Sequence, residues 1–311
     1  MPGVASLEIV ISILINTVLP LLAVAGVGFI LARTLRIDRR SISQLIINGF
    51  MPLLVFQNLA GSSVPLAEFG RMALFGVIVV AISAGLALLV ARLLHLDHLS
   101  TATLLLMLMF ANVGNFGLPV ITLAFGSEAL TFGTIYFVTN NLLLYTVGTL
   151  IASSGHEPPL RALARLTRMP VIYAVLAAGV VQLFQIRLPA PVMTAVDMLA
   201  RATIPSMLVV LGMQLNSAGF KITRLVVAGS VARLVLAPLL AYAAAVWLGL
   251  SGAAFQAGML ESAMPSSVSA SVFAVEYDIE PEFAANMVLF TTLVSPFTIT
   301  LLILLLRGGA G

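Results

Sequence analysis

Cysteine is absent from the 311 residues, which excludes disulfides, thiolate nucleophiles and Cys-ligated metals. Charge is nearly as scarce. The 15 Lys+Arg and 12 Asp+Glu make up 9% of the chain, where a soluble globular domain carries about 25%. So little charge cannot solvate the surface of a water-soluble globule, and a cytosolic enzyme is excluded. Histidine is limited to His95, His98 and His156, all in polar connections, so a His-rich metal site is not expected. What the chain has instead is apolar side chains, 60% of the total. Its net charge of +3 would suggest nucleic acid in a soluble protein. Here it reports the basic bias of cytoplasmic loops, and no nucleic-acid partner is expected.

The first apolar run extends uncharged from Ile9 to Ala32. No basic stretch precedes it, so it reads as a spanning helix and not as a signal peptide. Charged residues punctuate the rest, and the pattern predicts ten spans at about 7–32, 41–60, 70–93, 100–123, 129–153, 169–186, 190–215, 223–249, 252–275 and 283–306. Each is near the length a ~30 Å hydrocarbon core requires at about 1.5 Å per residue. Backbone polar groups in lipid need partners within their own segment, so the spans are helices, and the alternation of a β-barrel is missing. The expected fold is therefore all-α and integral to a cell membrane. Orientation follows from Lys and Arg. With the N-terminus outside, the inner loops hold Arg33, Arg36, Arg39, Arg40, Arg92, Arg161, Arg165, Arg168, Lys221 and Arg224, against Arg71, Arg187 and Arg307 outside. That asymmetry places both termini on the outer side.

The longest connection, 154–168, separates a first unit, 1–153, from a second, 169–311. Five spans in each makes the second unit inverted relative to the first. Internal similarity supports a duplication. VLPLLAVAGVGFIL around Pro20 resembles RMPVIYAVLAAGVV around Pro170, FMPLLVF around Pro52 answers TIPSMLV around Pro205, and NFGLPV around Pro119 answers SAMPSSV around Pro265. Two inverted five-helix repeats are the signature of secondary transporters.

Spans 4 and 9 carry the chemistry. Span 4 holds Asn112, Gly114, Asn115, Gly117 and Pro119; span 9 holds Glu261, Pro265, Ser266 and Ser267. Pro lacks a donor and Gly costs about 1 kcal/mol relative to Ala, so both helices should break there. Broken helix at mid-membrane depth is tolerated where it lines a cavity or is buried in protein. Pro119 and Pro265 suit the first turn of a second half-helix. The N-terminal ends of those half-helices would then present about +0.5 charge each to the membrane centre. With Asn112 and Asn115 as neutral donors, the site suits an anion, most naturally a carboxylate. Carbonyl-rich C-terminal ends of the first half-helices could hold a cation beside it. The plainer reading is that both motifs merely kink helices for packing.

Glu261 and Arg233 are charged inside apolar spans at similar depth, which is costly. They are either a buried structural pair, or a coupling-cation ligand (or proton acceptor) with a countercharge. Asp197 and Arg201 are four apart on one helix and read as a local pair. Asn140 and Asn141 could face the site or bond across helices, and Gln57–Asn58 is similarly open.

The motifs NVGNFGLP at 112–119, AMP at 263–265 and RLVLAP at 233–238 resemble the auxin efflux carrier family. LPLLAVAGVGFILAR, FMPLLVFQNL and IPSMLVVLGMQL extend the resemblance nearly end to end. That resemblance implies ten spans with crossing, broken helices 4 and 9, a fold like that of the bile acid:sodium symporters, and elevator-type transport of organic anions. It implies that 112–119 touches the substrate carboxylate; the reading of the broken spans adds Pro265, Ser266 and Ser267, with Asn141, as candidate substrate-binding residues. Homodimers occur in that family, so a second copy is an expected partner. The chain lacks the long hydrophilic central loop of the plant exporters and carries Glu261 before the span-9 Pro. That carboxylate makes Na⁺ or H⁺ coupling the expectation, with Asn115 and Glu261 as hard-cation ligands and no other cofactor. Rival classes fit less well. A cation/proton antiporter of the same fold wants an Asp pair or Asp–Lys near the crossover. A channel wants a filter-like loop or ring of charges. An intramembrane hydrolase wants a Ser–His, an Asp pair or a metal.

Overall fold

Long apolar runs with interspersed Pro fold here into helices whose irregularities are local and traceable to sequence. The computed structural model describes residues 14–35, 37–153, 164, 166–215 and 221–308. Most of the expected connection 154–168 lies outside them. The helices are α1 (Leu14–Val18 and Leu19–Thr34), α2 (Arg39–Leu45, Ile46–Phe50 and Met51–Ala60), α3 (Leu66–Leu93) and α4 (His98–Met109). Then come α5 (Val113–Gly117, Leu118–Leu143, Leu144–Gly148 and Thr149–Ala152), α6 (Pro170–Leu183), α7 (Ala190–Leu215) and α8 (Arg224–Val231, Ala232–Leu236 and Ala237–Trp247). The last are α9 (Gly252–Ser262), α10 (Val268–Glu276) and α11 (Pro281–Gly308). Among the described residues six helices are long and apolar enough to cross a membrane. Large apolar side chains such as Leu239, Trp247, Phe297 and Leu305 stand exposed on them. In water such a surface would drive aggregation. In lipid it is the solvated face, and the protein is an integral membrane protein.

Four prolines share one device. Pro20, Pro52, Pro119 and Pro238 each stand two residues after a π-helical turn, at Leu14–Val18, Ile46–Phe50, Val113–Gly117 and Ala232–Leu236. Proline has no N–H and clashes with the carbonyl four residues earlier. Widening the preceding turn re-pairs backbone groups five apart, as in Met51 N–H to Ile46 O, Leu118 N–H to Val113 O and Ala237 N–H to Ala232 O. The helix thereby continues past the proline.

α5 is a hairpin. Gly126 has φ 79° and ψ −162°, a conformation only glycine adopts cheaply. The chain folds back there, so that the side chains of Leu118 and Ile121 meet Gly133. The arms are 118–125 and 127–143, in place of one continuous rod. The loop acids act at helix starts. Asp38 caps α2 and Asp97 caps α4. Hydrogen bonds from Ser41 and the Arg40 amide hold the Asp38 carboxyl below its ordinary range, and the Ser100 amide does the same for Asp97.

Packing divides the helices into two sets. α1, α2, α6 and α7 pack on one another, and α3–α5 pack with α8–α11. In the first set α1 and α7 touch backbone to backbone. A Cβ on Gly28 would overlap the Val209 carbonyl, and one on Gly212 would overlap the Ala25 carbonyl. Small residues at a crossing allow this closeness, the usual basis of helix association in lipid. The two sets meet where α2 and α7 face the start of α5.

Candidate substrate-binding site

Both expected breaks are present, and they are bonded to each other. α4 stops at Met109 and α5 begins at Val113; α9 stops at Ser262 and α10 begins at Val268. The extended residues between them lie antiparallel, with Ala111 bridged to Ser266. Asn112 N–H donates to Pro265 O at 2.8 Å, and Ser267 N–H donates to Phe110 O at 2.9 Å. Ser266 is fully buried and pins the join. Its Oγ donates to Met107 O at 2.8 Å, and its N–H donates to Thr291 Oγ1 at 3.1 Å. The backbone freed by the two breaks is thus satisfied inside the protein, as membrane depth requires.

Arg233 holds the opposite ends. It is 1% exposed, its Nε donates to Met264 O at 3.0 Å, and its Nη1 donates to Leu108 O at 3.2 Å. One guanidinium therefore bridges the C-terminal ends of α4 and α9, each carrying about −0.5 charge. The cation expected beside the C-termini is this side chain. Arg233 and Glu261 do not form a pair: both Glu261 oxygens lack a hydrogen-bond partner among the described residues, and Arg233 Nη2 is likewise unpartnered. Glu261 is fully buried in the last turn of α9. It lies against Gly117, at the end of the π turn that precedes the first arm of the α5 hairpin, and against Gly133 on its second arm. A Cβ on Gly117 would come within 2.8 Å of the carboxyl carbon, so glycine there makes room for the acid.

A cavity of ≈ 290 Å³ opens beside the paired breaks, between the two packing sets. Asn112, Gly114, Asn115 and Ser267 line it from the breaks, Asn140 and Asn141 from the second arm of α5, Asn48 and Met51 from α2, and Arg168 to Val171 from the start of α6. Two of these groups are donors without a partner: the amide nitrogens of Asn112 and Asn140 are buried and unbonded, at 5% and 2% exposure. Leaving such a group unpaired costs roughly 1–3 kcal/mol, which a bound acceptor would recover. The initial turns of α5, α6 and α10 reach the cavity, and a helix start leaves N–H groups without a partner within it; in α6 Pro170 has none and Ile172 N–H is taken by Met169 O. Among the described residues no Asp or Glu lines the cavity. The chemistry is that of an anion site.

Of the residues singled out in the sequence, Asn112, Gly114, Asn115, Asn141 and Ser267 come together at the cavity. Asn141 already donates to Phe137 O at 2.8 Å. Gly117, Pro119, Pro265, Ser266, Glu261 and Arg233 are absent from its lining. Two details differ from expectation. α5 begins at Val113, six residues before Pro119, because the π turn absorbs the proline. Pro265 lies in the extended stretch, not in a first turn, and Ser267 caps α10 by accepting from Ala270 N–H. The two residues expected to ligate sodium are placed differently. Glu261 offers two unpartnered oxygens, but Asn115 lines the cavity while Glu261 does not. No group of three or more His, Cys, Asp and Glu that could hold a metal occurs among the described residues. Asp197 and Arg201 do pair, at 2.7 Å, and Gln57 Nε2 donates to the same acid at 2.7 Å. Arg168 and Asn48 went unread. Arg168 served only as a topology charge, although its place directly before Met169–Pro170 marks it as flanking a helix start.

The chain is similar to known transporters. The chain is 27% identical over 290 residues to an uncharacterized transporter of Methanothermobacter thermautotrophicus, covering 90% of this chain and 94% of that one. It is 30% identical over 213 residues to a Rhizobium meliloti protein named "Putative malonate transporter", covering 65% and 66%. It is also 24% identical over 212 residues to an uncharacterized transporter of Methanocaldococcus jannaschii, covering 66% and 67%. A family model described as membrane transport protein matches residues 13–303. The chain is thus a transport protein and not an enzyme, and it belongs to the membrane transport protein family, that of the auxin efflux carriers its motifs resemble.

Proposed function

We propose that this protein is a secondary transporter of small organic anions, carboxylates of the auxin-like or dicarboxylic kind, coupled to Na⁺ or H⁺ through Glu261. The observation that carries this reading is the cavity itself: it is lined by Asn112 and Asn140, whose buried amide donors are unpartnered, and by helix starts, and among the described residues no acidic side chain lines it. The relative named for malonate points the same way. Asn112, Asn115, Asn140 and Ser267 bind the carboxylate, and Asn141 shapes the wall beside them. Glu261, buried behind Gly117, takes the coupling ion and feels the substrate through the α5 hairpin. A cation antiporter with no organic substrate would need a carboxylate in the cavity wall, and none of the described residues in the wall supplies one.

The mechanism follows from the packing. Ten crossings arranged as two inverted five-helix repeats place the joined breaks at the middle of the membrane. α3–α5 with α8–α11 form the moving body, and α1, α2, α6 and α7 the frame. Backbone contact at Gly28 and Gly212 keeps the frame rigid. The Arg233 cross-link makes the two breaks move as one. The cavity lies toward the helix ends that carry Arg39, Arg40 and Arg168, which the excess of basic residues assigns to the cytoplasm with both termini outside. This conformation therefore faces inward, in the cell membrane, and a homodimer would join frames.

The test is thermal stability of the detergent-purified protein against mono- and dicarboxylates, with Na⁺ or choline and with pH varied. A ligand preferring the folded state raises Tm by mass action. A carboxylate shift lost in Asn112→Ala supports the proposal. A response to Na⁺ or pH alone, with every anion inert, supports the antiporter and overturns it.

A further inference from the structure

Resting on the anion-carrier reading, we infer that Arg168 and the first turn of α6 form a second anionic subsite in the same cavity, selecting substrates with two carboxylates. The cavity has two chemically different walls. One belongs to the paired breaks and α5, where Asn112 and Asn140 present buried, unbonded amide nitrogens. The other belongs to α2 and α6, where Arg168, Met169, Pro170 and Val171 line the space. α6 begins at Pro170 with Met169 as its N-cap, and no side chain caps it. Pro170 has no N–H and Ile172 N–H donates to Met169 O at 3.1 Å, so Val171 N–H is the first-turn donor that remains for a ligand. Arg168 forms no hydrogen bond or ion pair with a described residue, and among the described residues it is the one charged side chain in the lining. A planar guanidinium beside a free backbone donor suits a carboxylate.

The two poles differ in what they ask of the ligand. The break wall offers neutral donors and partial charges, enough for one carboxylate of any organic acid. The α6 wall adds a full positive charge, which rewards a second carboxylate and offers nothing to a methyl or phenyl group. Arg168 thus separates diacids from monoacids without excluding the latter. The walls also sit on the two different packing sets, so a diacid spans the seam between them while a monoacid is held by one.

The experiment is calorimetric titration of the full-length protein in detergent, at constant ionic strength, with malonate and succinate against acetate and propionate. The expected result is at least about fivefold tighter binding of the diacids by wild type. Arg168→Gln should remove that advantage while leaving monoacid affinity within about twofold. Arg168→Lys, which keeps the charge but loses the fork, should retain part of it. Arg168 is exposed, and an unchanged Tm would establish that the variants fold. Equal loss of mono- and diacid binding in Arg168→Gln, or no diacid preference in wild type, would overturn the subsite and leave the carrier reading standing. Failure of wild type to bind any carboxylate would overturn both.

Discussion

Replacing Arg233 by Met tests whether one guanidinium locks the two helix breaks together. Met is close in length and apolar, so it fills much of the space without leaving a charge. It removes the donors to Leu108 O and Met264 O at 3.2 and 3.0 Å, and with them the neutralisation of two C-terminal ends. Each buried carbonyl left unpaired costs roughly 1–3 kcal/mol, so the pair costs about 2–6 kcal/mol. One term opposes this. Arg233 is buried with Nη2 unpartnered, and relieving a desolvated charge can be stabilising. The carbonyl term should win, because water cannot reach those groups in lipid to replace the guanidinium. A net loss of about 2–4 kcal/mol remains, or a drop of roughly 4–10 °C in Tm. Differential scanning fluorimetry in detergent reads it directly, and Arg233→Lys, which retains charge and one reachable carbonyl, should fall between. A Tm for Arg233→Met within about 2 °C of wild type would refute the cross-link.

Other outcomes follow from the same geometry. Glu261→Gln should abolish the Na⁺ or pH dependence of transport in proteoliposomes, and a normal cation response in that variant would remove Glu261 from coupling. Gly117→Ala places a methyl group against the Glu261 carboxyl; the clash should cost about 1–3 kcal/mol and depress transport, read by Tm and uptake together. Gly212→Val drives a side chain into the Ala25 carbonyl; separation of α1 and α7 should abolish monodisperse elution on size exclusion. At the surface, hydrogen bonds hold the Asp97 carboxyl below its ordinary value of 3.8. Its cap on α4 therefore contributes fully above that value and is lost as pH falls through the lower folded value. Asp97→Ala should flatten the acid limb of a Tm-against-pH curve.

How much could be read in advance depended on whether a feature lies along the helix axis or around it. The breaks at 110–112 and 263–267 were visible because Gly, Pro, Asn and Ser cluster there against uniformly apolar flanks, and each disrupts the helical ladder for a stated reason. The reversal at Gly126 was expected between spans 4 and 5, and its positive φ explains why a glycine stands at the turn. Position around the axis was not legible. Arg233 and Glu261 lie at similar depth and a pair was one of two open readings, because depth leaves the facing direction open. Arg233 turns to two carbonyls, and Glu261 turns to the α5 glycines. Pro119 was expected to open a helix, but the π turn at Val113–Gly117 moved the start upstream, because a widened turn satisfies the backbone that proline disrupts. Arg168 was missed because orientation rules treat basic loop residues as a count, which hides which of them stands at a cavity.

The most direct measurement is uptake of radiolabelled malonate into proteoliposomes under an imposed cation gradient, comparing wild type with Asn112→Ala and Asn140→Ala. Gradient-driven uptake in wild type, reduced at least about tenfold in both variants with Tm preserved, is the predicted result, since each variant removes one of the two buried, unpartnered amide donors carried by cavity-lining residues. Undiminished uptake in both variants would show that the anion crosses elsewhere, and would contradict the assignment of the paired helix breaks as the carboxylate site.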